Sequence, residues 1–142
     1  VIDVNLNGSF LDSKHVAPRM QALGAGVIVL TASGAGVSGG SSSYAYGSSK
    51  GGVHGLAMVL RDNLAKDGVR VHDVCPGQVV SRLKVSVIEE TLRLTGDRAA
   101  YEAEMASLIR PEGVANIMAW LASDDAADVT GTIFTRETRL VT

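Results

Sequence analysis

From Val53 onward, apolar residues recur at Val53, Leu56, Val59, Leu60 and Leu64, with polar residues between them. That is the period of a helix with one face in a core, and with its small-residue lead it predicts a helix over about 44–67. Gly26-Val27-Ile28-Val29-Leu30 is short and unbroken in its apolar character after a glycine turn, which predicts a buried strand over 27–32. Val69-Arg70-Val71-His72-Asp73-Val74-Cys75 alternates instead, and predicts a second strand over 69–75. Gly68 stops the helix before that strand, and Pro76-Gly77 turns the chain after it. Gly131-Thr132-Ile133-Phe134-Thr135 reads as a third strand.

The remaining segments are helical. Residues 2–22 carry Ile2, Leu6, Phe10, Leu11, Val16 and Met20 at a rough helical repeat, with a middle weakened by Gly8 and Pro18. Two amphipathic pieces, about 85–94 and 98–108, join at Thr95-Gly96-Asp97. Pro111 opens another helix where its missing N–H costs nothing, with Glu112 near the positive end. Val114, Ile117, Met118, Trp120 and Leu121 are available to the core, and Ser123-Asp124-Asp125 stops that helix. Strands alternating with helices point to an α/β fold around a parallel sheet.

Composition narrows the function. With 142 residues, 46% of them apolar, the chain is one domain by length and has material for a core. Its net charge of −2 comes from interspersed acids and bases, which excludes the basic footprint of a nucleic-acid or anionic-membrane binder. Cys75 is the single cysteine, so neither an internal disulfide nor a Cys/His zinc site is available. His15, His54 and His72 show no ligand spacing and are read as solvated or structural, leaving no metal site. Apolar runs fall well short of the roughly 20 residues of a membrane helix. A reducing compartment fits, and the cytoplasm is the expected location. Val1 lies inside what reads as a helix, with no initiator Met, so a preceding segment is expected.

The candidate chemistry centres on Tyr46 and Lys50. Four residues apart on one helix, they share a face and can converge on one ligand. A free phenol, with a pKa of about 10, is a poor proton donor or acceptor at neutral pH. An ammonium at roughly 4 Å, in an effective dielectric of about 20, favours a phenolate by about 4 kcal/mol before losses to solvent, which suits a phenol to general acid and base work. Ser33 lies thirteen residues before Tyr46, at the carboxyl end of the first strand, where open α/β sheets place their ligands. The Ser/Gly-rich loop from Ser33 to Ser43 is bounded by strand and helix, as a pocket-shaping loop would be. Small residues from Ala45 to Gly52 allow close approach of a cofactor, a second subunit or the chain's own sheet.

Ser33, Tyr46 and Lys50, with Asn5 in Val4-Asn5-Leu6-Asn7-Gly8 and the later run Pro76-Gly77-Gln78-Val79-Val80-Ser81, resemble the single-domain short-chain dehydrogenase/reductase family. The resemblance implies a partial Rossmann-like, doubly wound parallel sheet: the C-terminal half, about three strands plus flanking helices. Residues 1–142 would form one incomplete domain, with 82–110 as an insertion covering the substrate. It implies Tyr46 as general acid and base and Ser33 as the holder of the substrate oxygen. Lys50 would tune the phenol and bind the nicotinamide ribose, and Asn5 would hold a water in the proton relay. Pro76, Gly77, Val79 and Ser81 would join Tyr46 and Lys50 in binding NAD or NADP; the family usually has threonine where Ser81 stands.

The implied reaction interconverts a secondary alcohol and a ketone, in a homodimer or homotetramer built through the helices at about 2–22 and 44–67. A noncatalytic subunit that binds no dinucleotide, and a related epimerase or dehydratase, are the competing readings. The glycines at 34–40 follow the serine, so they are not the family's first phosphate-binding turn, and no such turn occurs in the chain. Without that half, the first strand would have an exposed edge and the chain alone would be inactive. The last strand runs into Arg136-Glu137-Thr138-Arg139 where the family usually has Val-Asp-Gly-Gly, so the tail and its subunit contact are expected to differ.

Overall fold

A computed structural model describes residues 1–41, 43–136 and 139–141. After a π-helical turn, Asp3–Asn7, the elements are α1 (Gly8–Leu23), β1 (Gly26–Thr31), α2 (Gly34–Val37), α3 (Tyr44–Leu64) and β2 (Val69–Cys75). There follow α4 (Arg82–Thr95), α5 (Arg98–Ala106), α6 (Pro111–Leu121), β3 (Gly131–Arg136) and β4 (Arg139–Val141). The sheet order is β1-β2-β3-β4. β1 pairs with β2 in parallel from Gly26↔Val69 to Thr31↔Val74, and β2 pairs with β3 in parallel from His72↔Gly131 to Cys75↔Phe134. This is the parallel α/β sheet expected from the sequence.

β4 is an addition to the three expected strands. It runs antiparallel to β3, with Arg136 opposite Arg139. Three residues are too few for an alternation pattern to show, so pairing with β3 is what defines this strand. The expected departure at Arg136-Glu137-Thr138-Arg139 falls partly on Glu137 and Thr138, which lie outside the described residues, as does Ser42 of the serine-rich loop.

Two cores cover the two faces of the sheet. Ala17 of α1 and Val53, Ala57 and Leu64 of α3 pack with Leu30, Val69 and Val71. On the other face Val114, Ile117 and Leu121 of α6 pack with Val74 and Ile133. The alternation in β2 therefore sorts residues between two interiors, not between core and water. Every β2 residue except the half-buried Arg70 is buried.

Its polar members find partners in those interiors. Arg70 donates to the carbonyls of Leu121, Ser123 and Ala126 at 2.8–3.0 Å, closing the C-terminal end of α6 where a cation is favoured. Asp73, fully buried, accepts from Arg61 Nη2 at 3.0 Å and Thr132 Oγ1 at 2.9 Å, and pairs with His54 Nδ1 at 2.8 Å. The reading of His54 as solvated or structural is thereby sharpened, since it helps tie α3 to β2.

Pro18 sits inside α1 without ending it, on an exposed face, while Ser13 and Ala17 on the opposite face are buried. Burial of that face outweighs the lost hydrogen bond. β1 is an edge strand, and a cavity of about 390 Å³ runs along it, lined by Asn5, Ser13, Val16, Leu30 and Lys50 among others.

Candidate active site

The parallel strands β1 and β2 end side by side at Thr31 and Cys75, and the chain leaves each end by a turn. After β1, Ser33 is extended (φ −162°, ψ 145°) and its Oγ accepts from Ala35 N at 3.2 Å, capping the short α2. After β2, Pro76-Gly77-Gln78-Val79 passes over the same end of the sheet. A cavity of about 730 Å³ opens between them, and Ser33, Tyr46, Lys50, Pro76, Gly77 and Val79 all line it. Its volume lies in the ordinary range for small-molecule and cofactor pockets, about 300–1,000 Å³.

α3 carries Tyr46 and Lys50 into the cavity from its first turns. Ser43 caps the helix through a bond from Tyr46 N to its Oγ at 3.3 Å. The helical i, i+4 relation brings Lys50 alongside, with Nζ 6.0 Å from the Tyr46 ring centroid. That nitrogen also donates to Thr31 O at 2.6 Å, which holds the lysine against the end of β1. Burial makes the Lys50 ammonium easier to deprotonate than an ordinary lysine, an effect opposed by Cys75 only where its thiol is ionised. Burial, then the Asp73 carboxylate, pushes the Cys75 thiol up to about 11, so it is protonated at neutral pH and is not a nucleophile.

The small residues at the start of α3 serve packing within the chain. A Cβ added to Gly36 would lie 2.3 Å from Gly51 N and 2.4 Å from Lys50 C, so α2 touches the α3 backbone at the lysine itself. Likewise Gly52 faces Leu6 of the π-helical turn, where a Cβ would meet Cδ2 at 2.6 Å. These contacts are with neighbouring helical segments of the chain, not with the sheet.

Asn5 stands apart from the cavity. Its Nδ2 donates to Ser49 Oγ at 3.0 Å, and the buried Ser49 donates on to Tyr46 O at 2.8 Å. Asn5 shares the smaller cavity along β1 with Lys50. Asn5 lies within the π-helical turn Asp3–Asn7, a local widening of the helix. Ser81 also stands apart: its Oγ accepts from Lys84 N at 3.1 Å and caps α4.

Sequence reasoning missed Ser49 and the Thr31 carbonyl. A lone serine in a Ser/Gly run carries no signal, and a carbonyl's use depends on what the fold brings near it.

The segment between β2 and α6 is closed at its base. Val80 N donates to Ile109 O at 2.9 Å and Ile109 N to Gln78 O at 2.8 Å, so 81–108 leaves and returns at one point. Lys84 of α4 and Pro111, Val114 and Met118 of α6 complete the cavity wall.

Residues 1–91 match the sequence profile of the short chain dehydrogenase family. This chain belongs to that family. It is 39% identical over 137 residues to a cyclohexanol dehydrogenase of Acinetobacter sp. (strain SE19), covering 92% of this chain and 49% of the relative. It is 37% identical over 133 residues to a cis-4-hydroxycyclohexanecarboxylate dehydrogenase of Sinomonas cyclohexanicum, covering 94% and 52%.

Among solved structures, that of an NAD+-bound xylitol dehydrogenase superposes with a TM-score of 0.84 at 25% identity, covering 96% of this chain and 58% of that one. The chain spans about half the length of the relatives it matches. Among the described residues no helix is long and apolar enough to cross a membrane, and no group of His, Cys, Asp and Glu forms a metal site.

Proposed function

We propose that this chain carries the reaction centre and substrate cover of a nicotinamide-dependent oxidoreductase that interconverts a secondary alcohol and a ketone. One observation carries the reading: Ser33, Tyr46 and Lys50 line a single cavity at the carboxyl ends of two parallel strands, facing Pro76–Val79. The named relatives, both dehydrogenases of ring alcohols, support the reaction class.

In this proposal the Ser33 hydroxyl donates to the substrate oxygen, and Tyr46 passes a proton to or from it through its phenol. Lys50, anchored by Thr31 O, presents its ammonium beside the phenol and to a ribose hydroxyl. Asn5 positions α3 through Ser49 and lines the cavity on the far side of Lys50, where a water could relay protons. The residues present fit the nicotinamide end of NAD or NADP, with Pro76, Gly77 and Val79 offering backbone groups to it, while Ser81 would have to leave its cap contact to contribute its hydroxyl. The dinucleotide, when bound, supplies or accepts the hydride.

Exposed apolar side chains on α1 and α3, including Phe10, Leu11, Met58 and Val59, support a homodimer or homotetramer through these helices. We place the enzyme in the cytoplasm, in keeping with its single buried thiol.

Reduction of a ketone panel by the gene product containing this chain tests the reading. Tyr46→Phe should lower kcat/KM by about 10²–10⁴-fold while nicotinamide binding persists. Turnover within twofold of the wild type would show that another group moves the proton.

A further inference from the structure

Two charged side chains, Lys50 and Lys84, line the large cavity among the described residues. Lys50 Nζ is held at the Thr31 carbonyl, with the Tyr46 ring centroid 6.0 Å away, so Lys84 is the lining cation whose charge a paired carboxylate can offset. Lys84 lies in the first turn of α4, next to the cap at Ser81, where the helix dipole disfavours a cation. Glu104 of α5 supplies the opposing charge. Its Oε1 lies 2.6 Å from Lys84 Nζ, and the lysine side chain is only 25% exposed. Glu104 itself stands behind the wall.

We infer that the Lys84–Glu104 pair sets the charge specificity of this cavity, so that it accepts neutral ring alcohols and ketones and rejects those bearing a carboxylate. The inference rests on the oxidoreductase reading above. A carboxylate entering toward Lys84 must share an ammonium that Glu104 already holds at 2.6 Å, and it then lies near a second negative charge. A neutral substrate meets no such demand. Discrimination is a difference between two affinities, and here the repulsive element is a side chain that never touches the substrate. The two named relatives straddle this distinction at similar identity, one named for cyclohexanol and the other for a hydroxycyclohexanecarboxylate.

The test compares cyclohexanone with 4-oxocyclohexanecarboxylate in the gene product containing this chain, as wild type, Glu104→Gln and the Glu104→Gln/Lys84→Met double variant. The wild type should favour the neutral ketone. Glu104→Gln should shift the ratio of the two kcat/KM values tenfold or more toward the carboxylate, through KM. The double variant should return the ratio toward its starting value, because the freed ammonium is then gone.

Calorimetric titration with cyclohexanecarboxylate gives a readout independent of turnover, and should show tenfold tighter binding to the Glu104→Gln protein. A ratio and an affinity both unmoved by Glu104→Gln would overturn the inference alone. So would a change confined to the KM of the dinucleotide, which would assign Lys84 to the cofactor. Absence of turnover of both ketones by a wild type that reduces other ketones of the panel would overturn this inference alone, and absence of turnover across the whole panel would overturn the oxidoreductase reading with it.

Discussion

His72 enters the core as a neutral imidazole. Both of its ring nitrogens are buried with no hydrogen-bonding partner among the described residues, and burial, then Arg70 and Arg61, hold its pKa below the ordinary 6.5 against the pull of Asp73. The unfolded chain takes up a proton on this residue as pH falls through 6.5, and the folded chain does not until the pH is lower. The corresponding stability is therefore fully present above pH 6.5 and is lost progressively as pH falls toward the depressed native value. Urea midpoints measured from pH 8 to pH 5 should fall for the wild type, and a His72→Asn variant should show a shallower fall.

Asp73 makes a second residue-scale prediction. Removing one partner of a buried ion pair costs about 3–5 kcal/mol, because the other charge is stranded. Arg61 and His54 keep some contact with solvent, so we expect Asp73→Ala to cost about 3 kcal/mol, read from denaturant unfolding, with Asp73→Asn costing less.

At the scale of elements, the site depends on how α2, α3 and α4 meet the ends of β1 and β2. Because α2 touches the α3 backbone at Lys50 and Gly51, a side chain at Gly36 must push the helices apart. Gly36→Val should therefore lower kcat by about a hundredfold, the usual cost of misplacing catalytic groups by about 1 Å, with circular dichroism little altered. Ser81→Ala should remove the cap of α4 and cost about 1 kcal/mol of stability.

The same elements show what could be read from the chain alone. Helical and strand periods located α3, β1 and β2 because each buries a face large enough to impose its repeat on the sequence. The spacing of Tyr46 and Lys50 on α3 placed both on one side of a helix. No local pattern reported that Asn5 would reach Ser49, 44 residues away, whereas Ser81, standing just before α4, carries the ordinary local signature of a helix cap.

At the scale of the whole chain, β1 and β4 are the two edges of the described sheet. β1 presents an unpaired edge among the described residues, and Val4, Phe10, Leu11 and Val16 expose apolar surface nearby. The 142-residue chain expressed by itself should therefore associate as its concentration rises, seen as a growing mass by light scattering after size-exclusion chromatography. A mass that stays monomeric across a hundredfold range of concentration would show that this edge is protected.

Sequence alone determined the α/β class, the order of the main elements and the pairing of a tyrosine with a lysine, because these follow from periods and spacings within single segments. It also excluded a disulfide framework and a basic nucleic-acid surface, since both depend on composition. Only the tertiary structure decided that the polar residues of β2 face interiors, that α2 presses on α3 at Lys50, and that Glu104 reaches Lys84 across two helices. Each of these joins residues far apart in the chain, and the free energy of such contacts comes from burial and charge that exist only once the sheet and its covering helices have closed together.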